Sequence, residues 1–426
     1  MSLKHCLLLS LFILSGILIG CGKDNPVNVP PANFQCIDGM SAGRYACQNI
    51  DLLAHLSPQE LLGENLNDIW GWTDPETGKE YALVGMTDGV TFVDISNPSE
   101  PVVIGKLEES VETPPSSAFG AAHDQQLHKS AWRDLKVYKN HVFVVSDAQD
   151  HGMQVFDLTR LRDVSNPPVT FTEDVLYNEV DGTHNIAINT ETGFAYLVGS
   201  NTYGGGLHIV DISNPLQPQF AGFHSDTTVG LDSTGYVHDT QCVIYQGADV
   251  DYQGEEICFN SSETHFVIAN VSDKSSTYTI SKADYEGVEY AHQGWLTEDH
   301  NYFLMDDELD ELFGRTNTRT IIWDVRDLDN PKVVDIYVSD NAASDHNQYI
   351  KDDLTYQANY QSGLRILRIN DIATGQLEEI AYFDTYPQGN AAGTEGAWSN
   401  YPYFESGVVI VSDITNGLFI LRPRVE

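Results

Sequence analysis

Histidine and carboxylate side chains recur at comparable places along the chain, each just before a short segment with β-strand composition. The residues that share this position are His184, His238, His292, His346, Asp68, Asp134 and Glu395. Imidazole and carboxylate groups bind first-row transition metals, and they also bind cationic or polar ligands. If the segments surround a common axis, the set predicts a divalent metal ion or a polar ligand at that axis.

A structural role is the alternative for each histidine. In WD-type propellers a histidine near this point helps to hold a blade together by hydrogen bonding, and duplication copies such a residue whether or not it binds anything. The mixture of His, Asp and Glu favours binding, because a duplicated structural residue has no evident reason to vary in this way. In one copy Asp239 competes with His238 for the position, because that repeat carries extra residues.

Two acidic runs, residues 306–311 and 249–254, could supply oxygen ligands to calcium. Neither has the full spacing of a calcium-binding loop, so we expect both to be solvated connections between strands. The sequence contains no GxSxG motif, no HExxH motif and no recognisable cysteine nucleophile. The six tryptophans lie within or beside predicted strands, where core packing is the expected role.

A repeated segment indicates which elements position these side chains. Its seven copies begin at Gly89, Gly152, Gly206, His265, Arg319, Gly363 and Gly417. Successive starts lie 44 to 63 residues apart, which suits one four-stranded blade with variable loops. The copies alternate with period two and are rich in Val, Ile, Phe and Thr, which disfavours helical repeats.

Each copy has two strand-like segments before it and a turn with a fourth strand after it, except at the C-terminal end. There the seventh copy reaches Arg422 and Pro423 with only three strands, whereas residues 49–56 read as a strand without a blade. The two defects complement each other. We therefore predict an all-β fold, a seven-bladed β-propeller over residues 45–426, closed by an N-terminal strand that completes the last blade.

The repeated GLHIVDISNP-type segment resembles the LVIVD repeat. The stretch from about Asp68 to Pro423, including SAWRDLKVY, GMQVFDLTRLRD, GFAYLVGSNT, HQGWLTED and YQANYQSGLRIL, is similar to the choice-of-anchor B family. Members of that family share this domain but differ in how they are tethered. The resemblance implies a cell-surface or secreted propeller, and it implies no particular reaction or catalytic residues.

The N-terminal residues predict export. Lys4 precedes an apolar run over residues 7–19, which indicates a lipoprotein signal peptide at 1–20. Gly20 before Cys21 resembles a lipoprotein cleavage box, so we expect Cys21 to carry acyl chains that attach the protein to a lipid bilayer, followed by a linker at 21–44. Ordinary signal cleavage with an incidental Cys21 is the alternative. Gly22, in place of Asp, favours the outer membrane or cell surface.

Composition agrees with an extracytoplasmic location. The chain has 62 acidic and 22 basic residues, a formal net charge of -40. This charge disfavours nucleic acid as a partner and favours solubility, cation binding or cationic partners.

Four cysteines besides Cys6 and Cys21 make two disulfides possible in an oxidising compartment. Three pairings exist, of which the local ones join Cys36 to Cys47 and Cys242 to Cys258. Reduced, buried thiols are the alternative.

Two functional hypotheses follow. The first is a surface module that binds a protein, a glycan or a small polar ligand, with a divalent metal ion as a possible cofactor in the axial mouth. The second is a metal-dependent hydrolase or lyase that uses the ring of His, Asp and Glu. Propellers serve both kinds of function; the absence of a complete catalytic motif favours binding.

Overall fold

The computed structural model describes residues 34–110, 130–314 and 317–425. The predicted signal peptide at 1–20 and the lipidation site Cys21 lie outside these residues. No helix in the described ranges is long and apolar enough to cross a membrane.

The chain forms short strands almost throughout. The first three are β1 (Met40–Ser41), β2 (Tyr45–Gln48) and β3 (Ile50–Leu56). Blade one contains β4 (Leu66–Thr73), β5 (Glu80–Met86), β6 (Gly89–Asp94) and β7 (Val102–Glu108). Blade two contains β8 (Arg133–Tyr138), β9 (His141–Ser146), β10 (Met153–Asp157) and, after β11 (Val169–Phe171), β12 (Val175–Tyr177).

The next three blades each follow the four-strand pattern. Blade three contains β13 (Asn185–Asn189), β14 (Phe194–Val198), β15 (Leu207–Asp211) and β16 (Gln219–His224). Blade four contains β17 (Asp239–Ile244), β18 (Glu256–Ser261), β19 (Phe266–Asn270) and β20 (Tyr278–Ala283). Blade five contains β21 (Ala291–Leu296), β22 (Tyr302–Asp307), β23 (Arg319–Asp324) and β24 (Lys332–Val338).

The last two blades and three short helices complete the described chain. Blade six contains β25 (Gln348–Lys351), β26 (Leu354–Ala358), β27 (Leu364–Asp371) and β28 (Gln376–Phe383). Blade seven contains β29 (Ala397–Tyr401), β30 (Val409–Asp413) and β31 (Gly417–Pro423). The 3₁₀ helices are Leu158–Leu161, Tyr203–Gly205 and Ile372–Thr374.

These strands form seven antiparallel sheets, so the predicted seven-bladed propeller is confirmed. The repeated segment is the third strand of every blade. The first strands of neighbouring blades contact one another all the way round, from β4 through β8, β13, β17, β21 and β25 to β29 and back to β4. The side chains of these first strands therefore face a common axis.

The ring closes as predicted. β3 pairs antiparallel with β31, with Ile50 opposite Pro423 and Leu56 opposite Leu418, so the N-terminal strand is the fourth strand of blade seven. Because of this closure, the third strand of the last blade is paired on both sides.

The register between third and fourth strands shifts by one residue in six of the seven blades. Such bulges increase the local twist and turn the outer strand away from the blade plane. Blade two differs, because the strand that follows its third strand, β11, pairs parallel with β7 of blade one, and β12 becomes the fourth strand.

The hydrophobic core is divided among the interfaces between blades. Each of seven clusters of buried apolar residues joins two neighbouring blades. The interface between blades five and six has four such residues, Tyr302, Leu304, Ile322 and Ile350, whereas the others have between 9 and 16. Apolar packing is therefore weakest at that interface.

Both local disulfides form. Cys242 and Cys258 face each other on the paired strands β17 and β18. Cys36 bonds to Cys47 on β2, which pairs with β28 at the outer edge of blade six. The range 21–44, predicted as a linker, thus includes residues that are folded against blade six.

Candidate functional site: the axial mouth

The four predicted histidines form a continuous arc at one end of the axis. The ring centroids of His184 and His238 are 4.4 Å apart, those of His238 and His292 are 4.2 Å apart, and those of His292 and His346 are 4.4 Å apart. They come from four consecutive blades, each from the residue or two that lead into, or begin, the first strand. The rotational repeat therefore brings together residues that are about fifty positions apart in sequence.

Each imidazole is held through its Nδ1 atom. His238 and His346 donate from Nδ1 to the main-chain oxygens of His292 and Trp398, at 3.0 and 2.5 Å. The Nδ1 atoms of His184 and His292 lie 3.0 and 3.1 Å from carboxylate oxygens of Asp147 and Asp306. A proton on Nδ1 leaves the Nε2 lone pair free, which is how proteins orient histidines that bind metals.

The Nε2 atoms face one another or have no partner. Nε2 of His184 lies 2.8 Å from Nε2 of His238. Nε2 of His292 is buried and has no hydrogen-bond partner among the described residues. Two lone pairs cannot face each other at this distance without a cation between them, so the His184–His238 pair must hold either a proton or a metal ion.

Glu308 adds a carboxylate to the arc. Its oxygens lie 3.9 Å from Nε2 of His292 and 4.0 Å from Nε2 of His346. The hydroxyl of Tyr360 donates to Glu308 at 2.6 Å and fixes its orientation. Ligand atoms of His292, Glu308 and His346 lie within 4.8 Å of one another, close enough for one ion to draw them together.

Burial and neighbouring charges shift the pKa values of the histidines in the arc in different directions. Burial lowers the pKa of His238 well below its usual range, and the neighbouring His292 and His184 add to the effect. Burial also lowers the pKa of His292 to about 4. Burial opposes the charged form of His184 as well, but the hydrogen bond and charge of Asp147 outweigh it and raise the pKa of His184. These opposite shifts favour protonation of His184 over that of His238 or His292.

Glu308 and Asp147 were not included in the predicted ring, although a signal for them exists. Each follows the second strand of its blade, β22 for Glu308 and β9 for Asp147. Because the first two strands are antiparallel, the end of the second lies beside the start of the first. Acidic residues directly after second strands are thus candidates to join the histidines.

Asp68 and Asp134 do not join the histidines. Like Asp239, each accepts a hydrogen bond at 2.6 Å from the main-chain N–H of the residue that follows it. The three carboxylates thus occupy equivalent positions one residue beyond the histidine position. The predicted alignment was offset by one residue in these two blades, where Asn67 and Arg133 take the place of a histidine.

A second polar layer follows along the axis. Nζ of Lys136 lies 2.5 Å from Asp134 and 3.9 Å from Asp68. Burial raises the pKa of Asp68 to about 8, against the opposing charge of Lys136. Burial and Asp134 raise the pKa of Asp239 to about 7. This layer, in which three carboxyls share one lysine, is distinct from the imidazole arc.

Glu395 lies apart from both layers. Its side chain is exposed and accepts a hydrogen bond from Gln361 at 3.0 Å. The corresponding position in blade seven belongs to Trp398, whose main-chain oxygen accepts from His346 in the way that His292 accepts from His238. The extra loop residues before β29 account for the misplacement.

Three histidines of the arc, His184, His238 and His346, line a cavity of about 560 Å³ that opens at this mouth. Aromatic side chains form much of its wall: Trp132, Tyr236, Tyr290, Tyr360 and Trp398. A smaller cavity, of about 270 Å³, opens at the other end of the axis beside Trp70, Trp295 and Lys136. The prediction that tryptophans pack in the core holds for Trp72 and Trp323, which are buried, but these other tryptophans face the axial cavities.

The two acidic runs differ in the structure. Asp249 and the neighbouring Asp327 and Asp329 are partly or fully exposed, as expected of a solvated connection. In the other run Asp306, Asp307, Asp310 and Glu311 are all buried. The expectation of a solvated connection was wrong for this run, because it is enclosed between blades five and six.

Comparison with known proteins supports the repeat and the fold. The LVIVD repeat matches residues 79–108 and 188–225. No curated protein matches the sequence.

Among solved structures, the hydrazine synthase of Kuenenia stuttgartiensis is similar, with a TM-score of 0.55 at 13% identity over 88% of this chain and 99% of that chain. The β-propeller domain of Cps50 (Swd1) from Myceliophteria thermophila gives a TM-score of 0.54 at 10% identity over 87% and 98% of the two chains. A protein from Lactobacillus plantarum gives 0.53 at 14% identity over 82% and 89%. Identities this low show a shared fold and nothing about function.

Proposed function

We propose that this protein is an exported binding module of the choice-of-anchor B type, whose axial mouth holds a divalent transition-metal ion as part of a ligand site. A propeller with LVIVD repeats suits a binding or interaction role. The observation that carries the metal is the arc of four imidazoles, each held at Nδ1 and turned inward at Nε2.

The donor set fits a borderline-soft ion such as Zn²⁺. His292, His346 and Glu308 would supply two nitrogens and one oxygen, the ligand types that bind zinc at about 2.0–2.2 Å. His184 and His238 lie next along the arc and would either extend the site or hold a proton beside it. The aromatic wall and the cavity of about 560 Å³ leave room for a small polar ligand or a side chain of a partner at the ion.

Metal content of the purified full chain tests this proposal. Zinc uptake after chelator treatment, measured by elemental analysis, should reach at least one equivalent in the parent and fall to background in the His292→Ala, His346→Ala double variant. His141→Ala, which changes a histidine outside the cavity, should bind like the parent. Binding that survives in the double variant, with its β-sheet signal intact, would refute the proposed site.

A metal-dependent hydrolase or lyase is the second candidate. Two histidines and one glutamate make three protein ligands, and zinc sites with three protein ligands leave a fourth position for water or substrate. Hydrolysis of model esters by the zinc-loaded parent, absent from the His292→Ala, His346→Ala variant, would favour this candidate over binding alone.

Export and lipid attachment through Cys21 form the second part of the proposal. The signal-like residues 1–20 and the Gly20–Cys21 box support it, and the disulfides agree with an oxidising compartment. We propose an outer-membrane or cell-surface location. Cys21→Ser should move the protein from the membrane fraction to the soluble fraction, because acyl chains supply the attachment. A variant that stays with the membrane after a high-salt wash would show the lipid anchor to be wrong.

A further inference from the structure

Five carboxyl groups are enclosed where blades five and six meet, behind the axial mouth. We call them the acidic cluster: Asp306, Asp307, Asp310, Glu311 and Asp345. The first four come from the end of β22 and the turn after it, and Asp345 comes from the segment that leads into β25. Their exposed fractions lie between 0% and 4%.

Only part of this cluster is satisfied by hydrogen bonds. Asp307 accepts from the hydroxyl of Tyr285 and from the main-chain N–H groups of Glu289 and Tyr290. One oxygen of Asp306 accepts from the main-chain N–H of Gln293. Three buried carboxyl oxygens have no hydrogen-bond partner among the described residues: Oδ2 of Asp306 and both oxygens of Asp345. The carboxyl groups of Asp310 and Glu311 are hydrogen-bonded to each other.

Asp345 is the informative member. It comes from a different blade and is 3% exposed, yet neither of its oxygens has a donor within the described ranges. A carboxylate that merely packed at an interface would find main-chain or hydroxyl donors, as Asp307 does, because an unpaired buried charge is costly.

The charge of the cluster is also uncompensated. Arg319 pairs with Asp310 and lies 3.8 Å from Asp307, and it is the cationic side chain that the described residues bring to the cluster. Among the described residues, five buried carboxyls face one guanidinium, which leaves an excess of negative charge. Protons or a metal cation must neutralise the excess.

The location supplies an independent reason for a cation. The interface between blades five and six has the smallest apolar cluster of the seven, with four buried residues. An ion that binds residues of both blades would supply cohesion that apolar packing does not.

We infer that the acidic cluster is a binding site for a hard divalent cation, Ca²⁺, which joins blade five to blade six. The five carboxyls offer only oxygen ligands, and oxygens at about 2.3–2.6 Å are the ligands that Ca²⁺ takes. No three carboxyls of the acidic cluster have ligand atoms within 4.8 Å of one another in the described structure. The inference therefore requires their side chains to rotate towards a common point when calcium binds. The inference does not depend on the metal proposed for the imidazole arc.

Calcium-dependent stability of the full chain tests the inference. After chelator treatment, Ca²⁺ should raise the melting temperature of the parent progressively with concentration, because it binds only the folded state. Mg²⁺ should raise it less, because its small octahedral shell suits flexible carboxylates poorly. Equilibrium dialysis with Ca²⁺ should give saturable binding.

Isosteric variants separate ion binding from burial alone. Glu311→Gln and Asp345→Asn should abolish the calcium response while being at least as stable as the parent without calcium, because each removes a buried charge. Asp232→Asn, which removes an exposed carboxyl, should keep the full response. His184→Ala, which changes a histidine of the axial arc that contacts Asp147 and His238 but no member of the acidic cluster, should also keep the response, which separates this site from the axial one.

Two results would overturn the inference. One is a parent protein whose melting temperature and dialysis show no response to Ca²⁺, which would mean that protons neutralise the cluster. The other is a response that persists in both Glu311→Gln and Asp345→Asn, which would place calcium elsewhere.

Discussion

Shortening two adjacent leucines of β3 tests how much the N-terminal strand contributes to ring closure. Leu52 packs in the apolar cluster between blades six and seven, and Leu53 packs in the cluster between blades seven and one. Both are 1% exposed. Successive side chains of a strand point to opposite faces, so these two consecutive residues enter different interfaces. Each substitution therefore reports on a different contact of the same strand.

The expected cost follows from burial. Leu→Ala at a fully buried site lowers the free energy of unfolding by about 2–5 kcal/mol, the transfer term plus the cavity that remains. The sum of the two losses, about 4–10 kcal/mol, is the reference for the double variant, and a departure from it measures the coupling between adjacent residues of one strand. A loss of that size approaches the whole stability of an ordinary domain, about 5–15 kcal/mol.

Urea unfolding followed by tryptophan fluorescence and by circular dichroism measures these losses. Leu62→Ala is the matched control, because Leu62 is 40% exposed and its truncation should cost under about 0.5 kcal/mol. If Leu52→Ala and Leu53→Ala cost no more than Leu62→Ala, β3 is not a structural part of blade seven and the closure argument fails. Deletion of residues 49–56 should then also be tolerated, whereas closure predicts aggregation.

Two further perturbations address contacts between strands and between blades. The hydrogen bonds from Arg162 hold the pKa of Asp74 down at about 2, whereas the pKa in the unfolded chain is near 4. The stabilisation that these bonds provide is therefore fully present above pH 4 and is lost as the pH falls through 2. Asp74→Asn should lower the urea midpoint at pH 7 but match the parent near pH 2, and a midpoint difference that does not change with pH would contradict this. Replacing Cys242 and Cys258 by serine removes a cross-link between residues 16 positions apart and should lower the free energy of unfolding by about 3 kcal/mol. If a reducing agent leaves the urea midpoint of the parent unchanged, the disulfide does not contribute to stability.

The fold was predictable because its signal is repeated. Seven copies of one strand pattern, each with the same neighbours, define the blades even where a single copy is ambiguous. The turns and the unpaired strand at residues 49–56 then determine closure. β11 was not foreseeable in this way, since its pairing with blade one depends on the path of a loop rather than on the repeat.

The axial site was predictable only in part. The histidines share one position and were found, whereas Asp68 and Asp134 were shifted by one residue, which was enough to move them into the second layer. No sequence pattern separates these cases, because His238 and Asp239 are neighbours and both face the axis. The burial of residues 306–311 was likewise invisible, since a run of acids has the same composition whether it faces water or another blade.

The hairpin of β1 and β2, which pairs with β28 of blade six, affects how the protein would respond to a pulling force. A pull on the chain ahead of residue 34 meets the hydrogen bonds of Phe34 and Cys36 to β3 and the Cys36–Cys47 bond, which leads to β2 and its pairing with β28. Tension would therefore be shared between β3 and blade six instead of falling on the closing strand alone. The disulfide thus reduces the force that reaches the pairing of β3 with β31, which closes the ring.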